Sequence, residues 1–402
     1  MTQAFDCQVS DIILRSKSGD REANIIEQCK HIDIYESILS PVILAELQMQ
    51  DGIDLLSGFP ILGEESIEFS FWSPNSEKRK MKFNVYSVQN VEHGNIDKMN
   101  FYTLRLVSEE FFNSSKGFVY KKFKDSASSI INKIHDSISS KKLFVEETMG
   151  IEDLLISQLK PLQAIDQVRR SASSSQYDSS SFCYFENRDG MNFATIEGMF
   201  NKAKGNIGDR VFFYDSNVSN DIRTSDYRNI IGYQPIQLSN SADTVSSGGV
   251  KNQVYTFDLI TGGVTNIEHE DQEFEVIDKK TNPINSGTFR SDFLTEAADS
   301  FLIAIDSTLN SGDRQKKIGK LQIFIQKIVQ NLTWIHINGD STISVGDAIE
   351  CHFPTVHGMT EVSEARLTAG NYLVAKCRHM ITFTKNPVYT QSLELIKGSN
   401  LG

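Results

Sequence analysis

Gly346-Asp347-Ala348-Ile349-Glu350-Cys351-His352-Phe353 repeats, near the end of the chain, a pattern already met at Gly63-Glu64-Glu65-Ser66-Ile67-Glu68-Phe69-Ser70-Phe71. Both place a turn glycine and an acid ahead of a short alternating strand. The echo continues in order: residues 83–88 are answered by 372–377, and 102–107 by 389–396. One alternating strand resembles another by chance, but three in the same order argue for a duplicated β-unit. Two like units per chain let a threefold oligomer imitate a sixfold ring. Period-2 alternation puts Ile67, Phe69 and Phe71, and likewise Ile349, Cys351 and Phe353, on the core face of each strand. Glu68 and Glu350 then point outward.

Between the two copies the period changes. Asp125 is placed to cap a helix carrying Ile130, Ile131, Ile134 and Ile138 on one face. Pro161 suits the first turn of another, with Leu162, Ile165, Val168 and Ala172 inward. Phe182-Cys183-Tyr184-Phe185-Glu186, the turn Asn187-Arg188-Asp189-Gly190 and the run from Met191 form a hairpin signal. Further on, Ser291 is placed to cap a helix burying Phe293, Leu294, Ala297, Ala298, Phe301, Leu302 and Ile305. Asp313 is placed to cap a last helix through Lys320, which loses its register near Phe324. The expected fold is strand-rich α+β: two similar antiparallel β tube-like domains, barrel or sandwich, with peripheral helix-and-hairpin domains. Residues 1–108 form the first tube-like domain and 109–199 a helix-plus-hairpin domain. Residues 200–238 and 313–397 form the second tube-like domain, with 239–312 inserted as a peripheral domain.

At 402 residues, 39% of them hydrophobic, the chain has material for several cores. Its net charge of -12, from 52 acids against 40 bases, argues against a general nucleic-acid binder. The first eleven residues show no secretory pattern, and no apolar run reaches membrane-spanning length, so no membrane insertion is expected. Cys7, Cys29, Cys183, Cys351 and Cys377 are odd in number and scattered, which reads as free thiols in a reducing compartment.

No phosphate-binding glycine loop, nucleophile elbow, C-x-x-C pair or H-E-x-x-H occurs. The best metal candidate is Cys351, His352, His357, Cys377 and His379. Cys351 and His352 are consecutive on a strand and face opposite ways, so a core cysteine beside a surface histidine is the better reading. Glu268, Glu270, Asp271, Glu273 and Glu275 lack the glycine-turned loop of a calcium hand. Glu64, Glu65 and Glu68 offer a carboxylate pair with no histidine or nucleophile beside it. Trp72 and Trp334 suit packing or an interface better than a sugar platform. The stretch Phe118-Val119-Tyr120-Lys121-Lys122-Phe123-Lys124 is a weak nucleic-acid stripe on an acidic chain. The expectation is no catalytic, cofactor-binding or metal site, no cofactor, and no enzyme.

The order of modules resembles that of the central baseplate hub of contractile-tailed bacteriophages, whose fold also forms the hub part of type VI secretion spike proteins. The residues that carry the resemblance are Pro161-Leu162-Gln163-Ala164-Ile165 followed by Phe185-Glu186-Asn187-Arg188-Asp189-Gly190. To these add Ser341 through the strand ending in Phe353-Pro354, then Gly370-Asn371-Tyr372-Leu373-Val374 ahead of His379, and a closing Tyr-Thr strand. The resemblance implies a homotrimer whose six tube-like domains form a ring joining a threefold central spike to the sixfold tail tube or its initiator. It also implies contacts with other baseplate proteins and a channel through which DNA passes without specific binding. The implied place is the virion tail baseplate, assembled in the host cytoplasm. An acidic lumen is the expectation from net charge. The alternatives are the hub of a tailocin or other contractile injection system, a sixfold distal-tail or tube-initiator protein, or a tail-associated cell-wall hydrolase.

Overall fold

The computed structural model describes residues 6–59, 61–74, 76–93, 99–177, 179–204, 210–214, 228–235, 251–257, 262–270, 301–306, 332–353 and 370–399, with Leu321, Phe324, Ile325 and Ile328 between them. The first part contains β1 (Gln8–Val9), β2 (Ile13–Arg15), β3 (Glu22–Asn24), β4 (Cys29–Ser37), β5 (Leu44–Asp51), the single turn α1 (Leu55–Gly58), β6 (Ser66–Trp72), β7 (Arg79–His93) and β8 (Asn100–Val107). Next come α2 (Glu109–Ser115), β9 (Val119–Asp125), α3 (Ala127–His135), β10 (Leu143–Val145), β11 (Glu152–Leu159), α4 (Pro161–Ser171), β12 (Phe182–Asn187), β13 (Gly190–Thr195) and α5 (Ile196–Lys204). The rest is β14 (Val211–Phe213), β15 (Ile230–Pro235), β16 (Lys251–Phe257), β17 (Val264–Glu270), β18 (Phe301–Asp306), β19 (Leu332–Asn338), β20 (Ala348–His352), β21 (Gly370–Thr382) and β22 (Val388–Ser399).

The strand-rich α+β expectation holds, and the echo is a repeat of topology. In the first part the strands run β4-β5-β8-β7-β6, and in the last β15-β19-β22-β21-β20. The register repeats residue by residue. Ile67 faces Phe83 as Ile349 faces Tyr372. A bulge falls between Val85 and Ser87 on β7, and between the matching Val374 and Lys376 on β21. A second falls between Cys29 and His31 on β4, and between Ile230 and Gly232 on β15. Bulges fix local twist, so shared bulges mean shared curvature. The copies differ beyond their common strands: β6 takes antiparallel β1 and β2, whereas β20 takes parallel β14.

One detail of the sequence match shifts. The residue equivalent to Gly346 is Glu64, since Glu64 N donates to Val85 O as Gly346 N donates to Val374 O, each at 2.9 Å. Both adopt the left-handed conformation, at φ 85° and 88°. Gly63 precedes this position. The acid that follows serves the turn in both copies. Glu65 accepts from the Leu62 and Gly63 backbone amides, and Asp347 accepts from that of Ser344.

The two units are not separate sheets. β21 pairs antiparallel with β4, from Lys376 opposite Ser37 to Thr382 opposite His31, and joins them into one 14-stranded sheet. Each unit keeps its own core. One gathers Ile32, Leu47, Ile67, Phe69, Phe71 and Leu104, the other Ile335, Ile349, Cys351, Phe353, Leu393 and Leu395. As the alternation required, both triplets are buried while Glu68 and Glu350 turn to the other face and pair with Arg15 and His352.

A third core belongs to the middle module, where Ile130, Ile131 and Ile134 of α3 meet Ile165 and Val168 of α4 and Phe182 and Phe193 of the hairpin. The cap of α3 is Ser126, whose hydroxyl accepts from Ser129 N. Asp125, the expected cap, instead accepts from the Ser126 amide, the Ser129 hydroxyl and Lys133. Pro161 opens α4 as expected, and Gly190 closes the hairpin turn at φ 136°.

Two helix expectations change. Phe301–Asp306 is a strand laid parallel to β16, so Phe301, Leu302 and Ile305 are not helical. A continuous apolar run of this length suits a buried strand as well as a helix face, and the ladder decided. The rest of that helix, and the cap and body assigned from Asp313 to Lys320, lie outside the described residues. Leu321, Phe324, Ile325 and Ile328 are helical, so helical backbone reaches past the point where the register was expected to fail.

Candidate functional site: the joint between the two units

The chemistry-bearing side chains converge where β4 meets β21. Glu36 comes from β4, Arg79 from the start of β7, and Cys377 and His379 from β21. Tyr389 and Gln391 face them from β22. Inward alternation aims all of them into the joint, where Glu36, Arg79, His379, Cys377, Tyr389 and Gln391 are all buried.

Glu36 Oε1 bonds the Arg79 guanidinium and lies 3.4 Å from His379 Nε2. Its Oε2 accepts from the Ser344 hydroxyl at 2.6 Å and from the Val345 amide at 3.3 Å. His379 Nδ1 is 2.7 Å from the Tyr389 hydroxyl and 3.2 Å from Gln391 Nε2. Beside this network Ser73 and Ser76, at the tip of the β6–β7 hairpin, bond the Ser341 hydroxyl. One carboxylate thus ties the first unit to two elements of the second.

The electrostatics follow from burial and pairing. Burial opposes the Glu36 charge, but Arg79 and His379 outweigh it and hold the carboxyl down at about 2. Burial pulls His379 below the ordinary histidine value, so it is neutral at pH 7. Burial pushes the Cys377 thiol and the Tyr389 hydroxyl well up. A neutral imidazole, a neutral thiol and a neutral phenol surround one buried ion pair.

Glu36, Cys377 and His379 also present three donor atoms within 4.8 Å of one another. The donor types would suit zinc. The cation's place is taken, however: Arg79 bonds Glu36 and reaches within 3.4 Å of His379 Nε2. A divalent ion there would be repelled by a guanidinium that cannot lose its proton. The residues do not fit a metal.

The other expected candidates disperse. Cys351 lies in the second core, and His352 on the opposite face stacks on Phe213 and pairs with Glu350 at 2.8 Å. His357, Asp271, Glu273 and Glu275 lie outside the described residues. Glu268 and Glu270 belong to β17. Glu64 pairs with Lys17, while Glu65 serves the turn, so they form no catalytic pair with Glu68. Trp72 carries Lys78 over its ring at 4.5 Å, and Trp334 stacks on His336. Residues 119–124 of the basic stretch form most of β9, paired with β11. Sequence reasoning missed Glu36 and Arg79; only an inward-facing charge in each strand pattern marked them.

The solvent face of the joined sheet carries compensated charge. Arg378 grips Asp33 through two bonds of 2.9 and 3.1 Å. Lys376 meets Glu394 at 2.8 Å and Arg105 meets Glu46 at 3.2 Å. Each of these three cations lies against an acid on a neighbouring strand.

The outer edges of the joined sheet match the edges that meet inside it. On β21, residues 376–382 take β4 as partner. The corresponding stretch of β7, residues 87–93 with one extra residue bulged between Gln89 and Glu92, has β8 on one side and, among the described residues, no strand on the other. On β15, the counterpart of β4, residues 232–235 likewise pair only with β19 among the described residues. Exposure follows the same asymmetry. Ala375 at the internal joint is 5% exposed, whereas Tyr86, its equivalent, is 41% exposed. Val91 and Phe101 are exposed nearby.

No protein-family model and no curated protein matches the chain. Solved structures do. It is similar to the tail protein from Neisseria meningitidis MC58, with a TM-score of 0.60 at 12% identity over 96% of each chain. It is similar to the 43 kDa tail protein of prophage MuSo2 from Shewanella oneidensis, also at 0.60, with 9% identity over 97% of this chain and 98% of that one. The chain therefore has, over almost its whole length, the fold of these phage tail proteins.

Proposed function

We propose that the chain is the structural hub of a phage tail baseplate, a homotrimeric ring that adapts a threefold spike to a sixfold tube. The carrying observation is the internal joint. Two like units meet head to tail through β4 and β21, and among the described residues the same two edges are left unpaired at the outer ends of the joined sheet. A head-to-tail contact between like units either closes into a ring or runs on as a filament. Six units close when three chains repeat the internal joint. β7 of one chain then pairs with β15 of the next, covering Tyr86 and Val91. Such edges are otherwise a liability for uncontrolled pairing.

The solvent face of the sheet would line the channel. Its three ion pairs would make that lining closer to neutral than net charge suggests, with no row of free cations among the described residues of these strands to hold a polyanion. The joint network has no catalytic arrangement: its carboxylate is locked by Arg79 and its histidine reaches no solvent. Non-enzymatic action is part of the proposal, and the isolated protein should not clear a peptidoglycan suspension.

Light scattering after size exclusion tests the ring. The expected mass is about 136 kDa, three times the 45.2 kDa chain. A stable monomer or a six-chain particle would overturn it.

A further inference from the structure

A groove of about 710 Å³ runs between the β6–β7 hairpin of the first unit, the β12–β13 hairpin of the middle module and the loop at Ser341 and Thr342. On a chain of net charge -12 its walls are basic: Lys78, Lys80, Lys82, Lys142 and Arg188 line it. Lys82 lies a loose 3.5 Å from Glu109, and Lys142 rests over the Phe144 ring at 4.4 Å. Lys80 has no ion pair among the described residues, and Lys78, Lys80, Lys82 and Lys142 are all exposed. The groove uses the β6-paired end of β7, away from residues 87–93.

A buried acceptor also lines this groove. Glu186 is 7% exposed, and one of its oxygens meets Lys141 at 2.5 Å. Its other oxygen, Oε2, has no hydrogen-bond partner within 3.5 Å; the Ser108 hydroxyl, which donates to Ile43 O, interacts with this carboxyl only from farther off. Leaving a buried carboxylate oxygen unpaired is costly, and the groove is where a donor from outside would reach it.

We propose that this groove docks an acidic, extended protein segment from a neighbouring tail component. The walls would take its carboxylates, and Glu186 Oε2 a backbone N–H. The carboxylates at Glu186, Glu77 and Asp189 decide for a peptide over a nucleic acid. A phosphate backbone offers no N–H to Glu186 and carries a charge at every unit, so it cannot keep clear of all three, whereas a peptide can set uncharged residues beside them. The groove is built within one chain, so its test does not depend on the ring.

The probe is a fluorescein-labelled peptide of alternating Glu and Ser, titrated with the intact protein and read by fluorescence anisotropy at low and physiological salt. Saturable binding is expected. The pair Lys80→Glu with Lys142→Glu, both exposed, should weaken it about tenfold or more, roughly two surface ion pairs. Lys122→Glu, on β9, should leave it unchanged. Glu186→Gln should weaken it, because the amide is the poorer acceptor; strengthening would mean that the occupant is a polyanion. No binding, equal loss with Lys122→Glu, or an oligothymidylate that competes better than unlabelled peptide would each overturn the proposal.

Discussion

Replacing Glu36 with Gln should cost about 3–5 kcal/mol, because it leaves the Arg79 guanidinium charged and buried with no counter-ion. The shape of the side chain hardly changes, so the loss is electrostatic. Glu36 is held at about 2 against an ordinary 4.5, and each unit is worth about 1.4 kcal/mol, giving about 3 kcal/mol for the charged carboxylate in its whole setting of Arg79, His379 and Ser344, net of burial. The folded value lies below the unfolded one. The contribution is therefore complete above about pH 4.5 and is lost as pH falls through about 2. Urea titrations at pH 7 and at pH 3 read both effects. Wild type should lose stability between them, and Glu36→Gln should lack that part of the loss. Arg79→Met alone should cost as much as Glu36→Gln, while the double variant should recover most of it, since two neutral groups need no partners. A Glu36→Gln cost under about 1 kcal/mol, or a double variant equal to the sum of the singles, would refute a buried pair that locks the units together.

Phe353→Ala should lower stability by about 3–5 kcal/mol in chemical denaturation, the cost of emptying a buried aromatic site, whereas Glu350→Gln, half-buried beside His352, should leave the melting temperature nearly unchanged. Gly346→Ala should destabilise by about 1–2 kcal/mol, because the position is left-handed and the new Cβ would lie 3.1 Å from the Phe185 ring. Treatment with EDTA should not move the melting temperature, since Arg79 holds the cation's place among Glu36, Cys377 and His379; a chelator-sensitive melt with stoichiometric zinc would show otherwise. Neutralising Asp33, Glu46 and Glu394 together should free Arg378, Arg105 and Lys376 and give the protein salt-sensitive DNA binding in a gel-shift assay.

The repeat was legible because alternation at Ile67-Phe69-Phe71 and Ile349-Cys351-Phe353 survives while the residues themselves differ. The α4 start and the β12–β13 turn were legible because Pro161 and Gly190 carry their geometry locally. β5 was missed: Leu44-Ala45-Glu46-Leu47-Gln48-Met49 is made of good helix formers, and only the burial of Ala45, Leu47 and Met49 at every second place marks a strand. Its counterpart β19 buries Thr333, Ile335 and Ile337 at every second place with β-branched residues, so the two strands share a pattern of burial and almost nothing of composition. The joint was illegible for a deeper reason. Glu36 and Arg79 lie far apart in sequence from His379, and nothing local says that an inward charge will find its partner across a fold. The pairing of β4 with β21 is likewise a long-range fact, visible only once the units stand side by side.

Cysteine trapping across the proposed outer joint tests the central claim most directly. By the repeat, Glu92 matches Met380 and Gln234 matches Asp33, and Met380 faces Asp33 at the internal joint. Glu92→Cys with Gln234→Cys on one chain should therefore form disulfides between chains on mild oxidation, with the five natural cysteines buried. Non-reducing gels should show covalent species that stop at three chains, and neither single variant should give more than dimers. Oxidation that leaves only monomer, or a ladder that runs past three, would contradict a closed ring of three chains.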